Sequence, residues 1–334
     1  MSSSWDVDAP PVPSLVFPVR IDPSGESGPT KSQSRGPSWR NTGPGLFVLA
    51  HVTDDLVEQR IAEAYAACGP DAVVTGWAGL RLQGAGFFDG LGRDGKTRLD
   101  VPIAANGSRV RSRPGLMVIG NRVPPDEVIV VHGMRCARVE RSLLDEIRRV
   151  AHVGGDEWDQ IAAVDMTCAA QLTSIRRMSR YRWTRYWYRD IRTLDRILPW
   201  CSEDARSRRE VDFRRVWTQE ANWPQPLCNR TVLDPDGRLV GMPDLLDPVR
   251  RVVGEYAGGG HREKKQHESD LRRAAEFRRV GLEAVEVTNT HLRSPELVVR
   301  WMHEAEERAA LLPQRWQLAP PGPSLDSILD RRDS

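Results

Sequence analysis

Three carboxylates and a histidine in the C-terminal half carry the chemistry legible in this chain. Glu210 stands in Ser207-Arg208-Arg209-Glu210 and Asp244 in Met242-Pro243-Asp244-Leu245, while Glu255 opens Glu255-Tyr256-Ala257-Gly258-Gly259-Gly260-His261. Hard carboxylate oxygens suit Mg2+, which neutralises phosphoryl charge and activates water when some coordination positions stay open. The pattern therefore predicts phosphodiester hydrolysis with Mg2+ as cofactor and Mn2+ as the alternative. Asp244 and Glu255 are the expected ligands, and Glu210 is a third ligand or the holder of a metal-bound water. His261 is a candidate general acid toward the leaving oxygen, or a contact to the scissile phosphate. Lys264 and Lys265 follow one turn into the next helix. Lys264 is placed with the catalytic set and Lys265 with the DNA contacts.

Each of these residues also has an ordinary structural use. Glu210 and Arg214 have the i,i+4 spacing of a solvated helix pair. Asp244 after Pro243 would serve a strand-end turn, and His261 would cap the following helix.

The elements that must position these groups are readable around them. A helix is predicted from about Glu203 to Asn222, then a strand at Leu227–Leu233. Asp234-Pro235-Asp236-Gly237 is a hairpin signal, giving a second strand at Arg238–Leu246. Asp247-Pro248 turns the chain into a third strand, Arg251–Tyr256. A polar helix from about Arg262 to Val280 stops at Gly281, followed by a strand at Ala284–Thr288 and a helix from Pro295. The order is αβββαβα. Antiparallel neighbours Asp244 and Glu255 meet if they share a sheet face.

The N-terminal half reads as a smaller α+β domain. Helical spacing covers Thr53–Ala67 and the region of Trp77, Leu80 and Leu82; strand-like runs follow at Leu99–Ala104, Leu116–Asn121 and Val128–His132. Helices are expected again at 138–150, 157–171 and 185–198. The boundaries drawn are a disordered Pro/Ser/Gly-rich tail at 1–44, an α+β domain at 45–150, a helical basic and aromatic linker at 151–202, the carboxylate-bearing domain at 203–312 and a flexible tail at 313–334. The fold class is mixed α/β.

Composition limits the alternatives. At 334 residues, 40% apolar and 28% charged, the chain is long enough for two domains with separate cores. No run of 18 apolar residues exists, so no membrane partner is expected, and the N-terminus lacks an apolar signal core. Five scattered cysteines without a C-x-x-C pair read as reduced thiols, and the expected location is cytoplasmic.

The net charge of +2 hides an uneven distribution. Eight arginines lie between Arg176 and Arg196, interleaved with Tyr181, Trp183, Tyr186, Trp187 and Tyr188. Arginine forks match phosphate oxygens, and aromatic faces stack on exposed bases. Arg176, Arg177, Arg180, Arg182, Trp183 and Arg185 are accordingly the expected DNA contacts. An amphipathic helix with buried aromatics and solvated arginines is the competing reading.

Pro243-Asp244 followed eleven residues later by Glu255 resembles the PD-(D/E)XK nuclease pattern. The wider set comprises Ser207-x-x-Glu210-x-x-x-Arg214, Pro226-x-x-Asn229, Asp236-Gly237, Glu255-Tyr256, His261, Asp270-x-x-Arg273 and Gly281-Leu282. It resembles the very-short-patch-repair-endonuclease-like branch of that superfamily over about residues 203–305. The resemblance implies a restriction-endonuclease-like αβββαβ core, with Asp244 and Glu255 as metal ligands and Glu210 as a supporting acid. It also implies a catalytic or phosphate-contacting role for His261. Asp270 and Arg273 would orient the helix over the sheet. This chain departs from the pattern at Ala257, where relatives commonly carry an acid, and in lacking the motif lysine.

Residues 46–150 resemble, more loosely, AbiEi-type antitoxin proteins. The resemblance rests on Ala72-Val73-Val74-Thr75-Gly76-Trp77-Ala78-Gly79-Leu80-Arg81-Leu82, Gly133–Ala137 and Glu140-Arg141-Ser142-Leu143-Leu144-Asp145. These motif residues read as fold determinants. The leading expectation is a Mg2+-dependent DNA endonuclease in phage defence or another genome conflict, with a toxin or other defence protein as a candidate partner. The alternative is a catalytically inactive, DNA-binding regulator of antitoxin type.

Overall fold

A computed structural model describes residues 15–258 and 273–334. The fold is mixed α/β, and the chain divides into two compact units, Met1–Gly154 and Gly155–Ser334.

The first unit opens with β1 (Val19–Arg20), β2 (Trp39–Gly43) and β3 (Leu46–Leu49), an antiparallel sheet of order β1-β3-β2. Residues 15–44 therefore depart from the expected disordered tail. Backbone pairing to β3 recruits them, and the Asp22 carboxylate ties the Ser-rich turn by accepting from the backbone N–H groups of Ser24, Glu26 and Ser27. Then come α1 (Val57–Ala66), β4 (Val73–Val74), α2 (Gly76–Leu82), β5 (Val101–Ala104), β6 (Leu116–Ile119), β7 (Val128–Val131), β8 (Met134–Ala137) and α3 (Val139–His152). The five strands form a mixed sheet of order β6-β5-β4-β8-β7.

The stretches 72–82 and 140–145 meet where α2 lies on α3. Thr75 Oγ1 donates to Asp145 at 2.7 Å, and the Trp77 N–H donates to Glu146 at 3.0 Å. A Cβ on Gly79 would stand 2.4 Å from Ser142 Oγ, so only glycine permits this approach. These contacts seat α2 on α3.

The second unit begins with α4 (Glu157–Ala169), α5 (Ile175–Thr184), α6 (Thr193–Ile197) and α7 (Arg208–Arg215), the last continued by a π-helical turn at Val216–Glu220. Residues 155–202 thus belong to this unit rather than forming a separate linker. The expected helix over 185–198 is confined to α6, and α5 ends before it. Strands β9 (Leu227–Cys228), β10 (Val232–Leu233), β11 (Leu239–Gly241), β12 (Leu245–Asp247) and β13 (Val252–Tyr256) follow. Next come a helix over 273–280 (α8), β14 (Glu283–Val287), α9 (Pro295–Ala310), β15 (Gln317–Leu318) and α10 (Leu325–Asp333).

The main sheet has the order β14-β13-β12-β9, parallel between β13 and β14 and antiparallel elsewhere. Side chains alternate across it. Leu245 and Val252 pack toward Phe213 and Trp217 and toward Val298, Met302 and Ala305 of α9. Leu246 and Val253 pack the other way, against Phe277 and Val280 of α8. A Cβ on Gly254 would lie 2.6 Å from the Phe213 ring, so the helix seats against bare backbone. A second sheet, β11-β10-β15, includes Gln317–Leu318. The stretch 313–334, expected as a flexible tail, is therefore built in, with Leu329 buried and Arg177 ion-paired at 2.7 Å to both Asp330 and Asp333.

Candidate active site

Asp244, Glu255 and Glu210 gather at one end of the main sheet. The β12–β13 register sets Leu245 opposite Gly254, so one step further Asp244 stands opposite Glu255. By alternation both share the α8 face with Leu246 and Val253. The Tyr256 N–H donates to Asp244 Oδ2 at 2.7 Å, locking that carboxylate beside β13.

Glu210 comes from α7, on the opposite face. Ser207 caps that helix, its Oγ accepting from the Glu210 N–H at 3.2 Å. Glu210 Oε2 in turn accepts from the Arg206 N–H at 2.9 Å and from Asn229 Nδ2 at 2.7 Å. Asn229, left-handed at φ +48°, also donates its backbone N–H to the Asp244 carbonyl at 3.1 Å. One asparagine thus couples the α7 acid to the strand acid. The alternative Glu210–Arg214 surface pair is absent, because Arg214 is fully buried and pairs with Asp165 of α4 at 2.5 Å.

The electrostatics are those of too much negative charge in too little water. Burial pushes the Glu255 carboxyl up to about 8, nearby Asp244 and Glu286 add to the rise, and Arg273 opposes it. Burial also raises Asp244, against the Tyr256 N–H and the cations of Arg273 and Arg206. Glu210 is raised by burial and then by the charge of Asp244. Arg273 Nη2 lies 3.0 Å from Glu255 Oε1 and donates to the Met242 carbonyl. Glu255 Oε1 is nonetheless buried without a well-formed hydrogen bond.

This donor set fits a hard divalent cation: carboxylate oxygens raised chiefly by burial, one of them a buried atom beside the Arg273 guanidinium. Among the described residues no three His, Cys, Asp or Glu side chains stand close enough to hold one ion together. Asp244 and Glu255 are the pair that faces one another, while Glu210 is engaged by Asn229 and Arg206. His261, Lys264, Lys265 and Asp270 lie outside the described residues. Sequence reading assigned no part of the site to Asn229, and to Arg273 only the orientation of a helix. The i,i+19 spacing of Glu210 and Asn229 carries no periodic signal.

The expected DNA contacts divide into two groups. Arg177 and Arg182 are committed to acidic partners, Arg182 forking onto Asp195 at 2.8 and 2.7 Å. Arg180 and Trp183 are exposed, Arg176 is largely exposed although 3.6 Å from Asp326, and Arg185 stacks over Trp187. The buried-aromatic alternative fails for Trp183, Tyr186 and Trp187, all of which face solvent.

No family model, curated protein or solved structure matches the chain. The functional reading rests on these residues and their geometry. Among the described residues no helix is long and apolar enough to cross a membrane.

Proposed function

We propose that this chain is a divalent-metal-dependent endonuclease acting on DNA phosphodiesters. The observation that carries the reading is the pair of neighbouring acids Asp244 and Glu255, half-buried, both raised chiefly by burial, and with Glu255 Oε1 lacking a well-formed hydrogen bond. Asp244 and Glu255 would hold the cation, Mg2+ by preference and Mn2+ in its place. When bound, the ion supplies charge neutralisation at the phosphate and an activated water. Two carboxylates suffice for Mg2+, which keeps several waters of its own.

The remaining residues orient and balance charge. Glu210 stands behind Asp244 as a supporting acid, fixed by Asn229 and the Arg206 N–H. Tyr256 N–H fixes the Asp244 rotamer and leaves its other oxygen for the ion. Arg273 places a guanidinium at the rim, where it neutralises Glu255 before the cation arrives and afterwards is placed to contact a phosphate. His261, Lys264 and Lys265 follow Glu255 closely in sequence and remain candidates for proton delivery and phosphate contact. A role in phage defence with a toxin partner belongs to the same proposal and draws only on the resemblance of residues 46–150.

The test is cleavage of supercoiled plasmid and of single-stranded oligonucleotides with Mg2+ or Mn2+. Wild-type protein should nick or cut, EDTA should stop it, and Asp244→Asn should lose at least about 10²-fold in rate. Metal-independent DNA binding with no cleavage under either ion would instead identify a catalytically inactive, antitoxin-type regulator.

A further inference from the structure

The segment joining α5 to α6 exposes aromatic rings that a folded domain ordinarily hides. Helix α5 stops at Thr184, and residues 185–192 turn the chain, with Asp190 left-handed at φ +55°. Trp183 stands in the last turn of α5, and Tyr186 and Trp187 on the turn that follows it. Trp183, Tyr186 and Trp187 are 67%, 68% and 60% exposed, whereas the aliphatic residues of the segment, Ile191, Leu194 and Ile197, are buried. The buried aliphatic side chains and the exposed Trp183, Tyr186, Trp187, Arg180 and Arg192 thus lie on different sides of the segment's burial pattern.

The rings form an ordered set. Tyr186 and Trp187 pack edge-to-face at 5.0 Å, Trp187 and Tyr188 at 5.9 Å, and Tyr181 and Tyr188 at 6.3 Å. Arg182 lies over Trp183 at 4.5 Å while its fork grips Asp195, tying α5 to α6 beneath the rings. Edge-to-face packing and the Arg182–Asp195 clamp pre-organise the surface, so less ordering is required when a ligand arrives. Around it, eight arginines face two aspartates between residues 176 and 196, with Arg180 and Arg192 exposed.

We propose that this surface binds DNA strands with unpaired bases, deepening the nuclease reading, on which it rests, by naming the substrate class. Insertion into an apolar lipid surface is disfavoured, because no aliphatic side chain of the segment is exposed to insert. Charge selects a polyanion over an ordinary protein partner, since Arg182 lies over Trp183, Arg185 over Trp187, and Arg180 and Arg192 are exposed in the same segment. Stacking then selects the strand: a duplex buries its base faces, while an unpaired base offers a π-face to Trp183 or Trp187 and a phosphate to the neighbouring guanidinium groups. The occupant is single-stranded DNA, as free strand, flap or bubble.

The experiment is fluorescence anisotropy with the full chain in EDTA, using labelled oligothymidylate, oligouridylate and a duplex of equal length. Oligothymidylate should bind at least tenfold tighter than duplex and quench tryptophan emission. Trp183→Ala and Trp187→Ala should each weaken it about tenfold, with Trp187→Phe restoring most of the loss. Arg180→Gln and Arg192→Gln should each lower the log–log salt slope by about 0.7. These side chains are exposed, so unchanged melting temperatures show that the variants fold. Equal affinity for duplex, tighter binding of oligouridylate, or ring variants that bind like wild type would each overturn the proposal. A protein that binds the strand without cutting refutes the nuclease reading alone; one that cuts without strand preference refutes this inference alone.

Discussion

Glu255→Gln removes one ionisation from the candidate site while keeping its shape. In the folded protein the Glu255 carboxyl is pushed up from its usual 4.5 to about 8. Between those values the folded chain holds a proton that the unfolded chain has released. Stability contributed at this position therefore falls as pH rises through the window and levels off above about 8. The interval of about 3.5 pH units, at about 1.4 kcal/mol each, bounds the loss near 5 kcal/mol. Water reaches the side chain, which is 19% exposed, and relaxation around the charge reduces the expected loss to about 2–3 kcal/mol. For a unit of this size that is roughly 5–10 °C in melting temperature. Thermal denaturation in EDTA should thus find wild type and variant alike near pH 5 and the variant more stable by that margin near pH 9. Added Mg2+ should close the gap at pH 8 by stabilising wild type alone. Melting curves that run parallel from pH 5 to 9 would refute the reasoning, because they would show Glu255 ionising in the folded state as freely as in the unfolded one.

Other expectations follow from the same geometry. Asn229→Gly keeps the left-handed backbone and deletes the amide that steadies Glu210, so metal-dependent cleavage should fall about 10–100-fold with little change in melting temperature. Arg214→Leu leaves Asp165, already raised to about 6 by burial, as an unpaired buried acid, and chemical denaturation should register a loss of about 3–5 kcal/mol. Gly254→Ala drives a methyl group to within 2.6 Å of Phe213, and the same denaturation should lose about 1–3 kcal/mol.

How much was readable in the residues follows from how local each determinant is. The hairpin turn at Asp234–Gly237 and the C-terminal stop at Gly281 with φ +95° both depend on a few neighbouring residues, and each appears in the chain pattern. The strands expected at 227–233 and 238–246 are each divided between two sheets instead. Left-handed Asn229 re-aims the first, and Pro243, which has no N–H to donate, interrupts the second. Neither break looks different from an ordinary strand residue in an apolar run. The long-range partners were illegible for another reason. Arg214 with Asp165, Arg177 with Asp330 and Arg273 with Glu255 join residues far apart in sequence or across elements, and no periodicity encodes such a pairing. The N-terminal and C-terminal segments look too polar to order alone, and they order by lending backbone to existing strands.

The most direct test of the central claim is Mn2+ binding followed by electron paramagnetic resonance, with Mg2+ as competitor. Wild type should take up the ion and release it to excess Mg2+. Asp244→Asn and Glu255→Gln should abolish uptake, and Glu210→Gln should weaken it about 10–100-fold. Uptake unchanged in both Asp244→Asn and Glu255→Gln, or none by wild type even with DNA present, would contradict a metal centre at this pair.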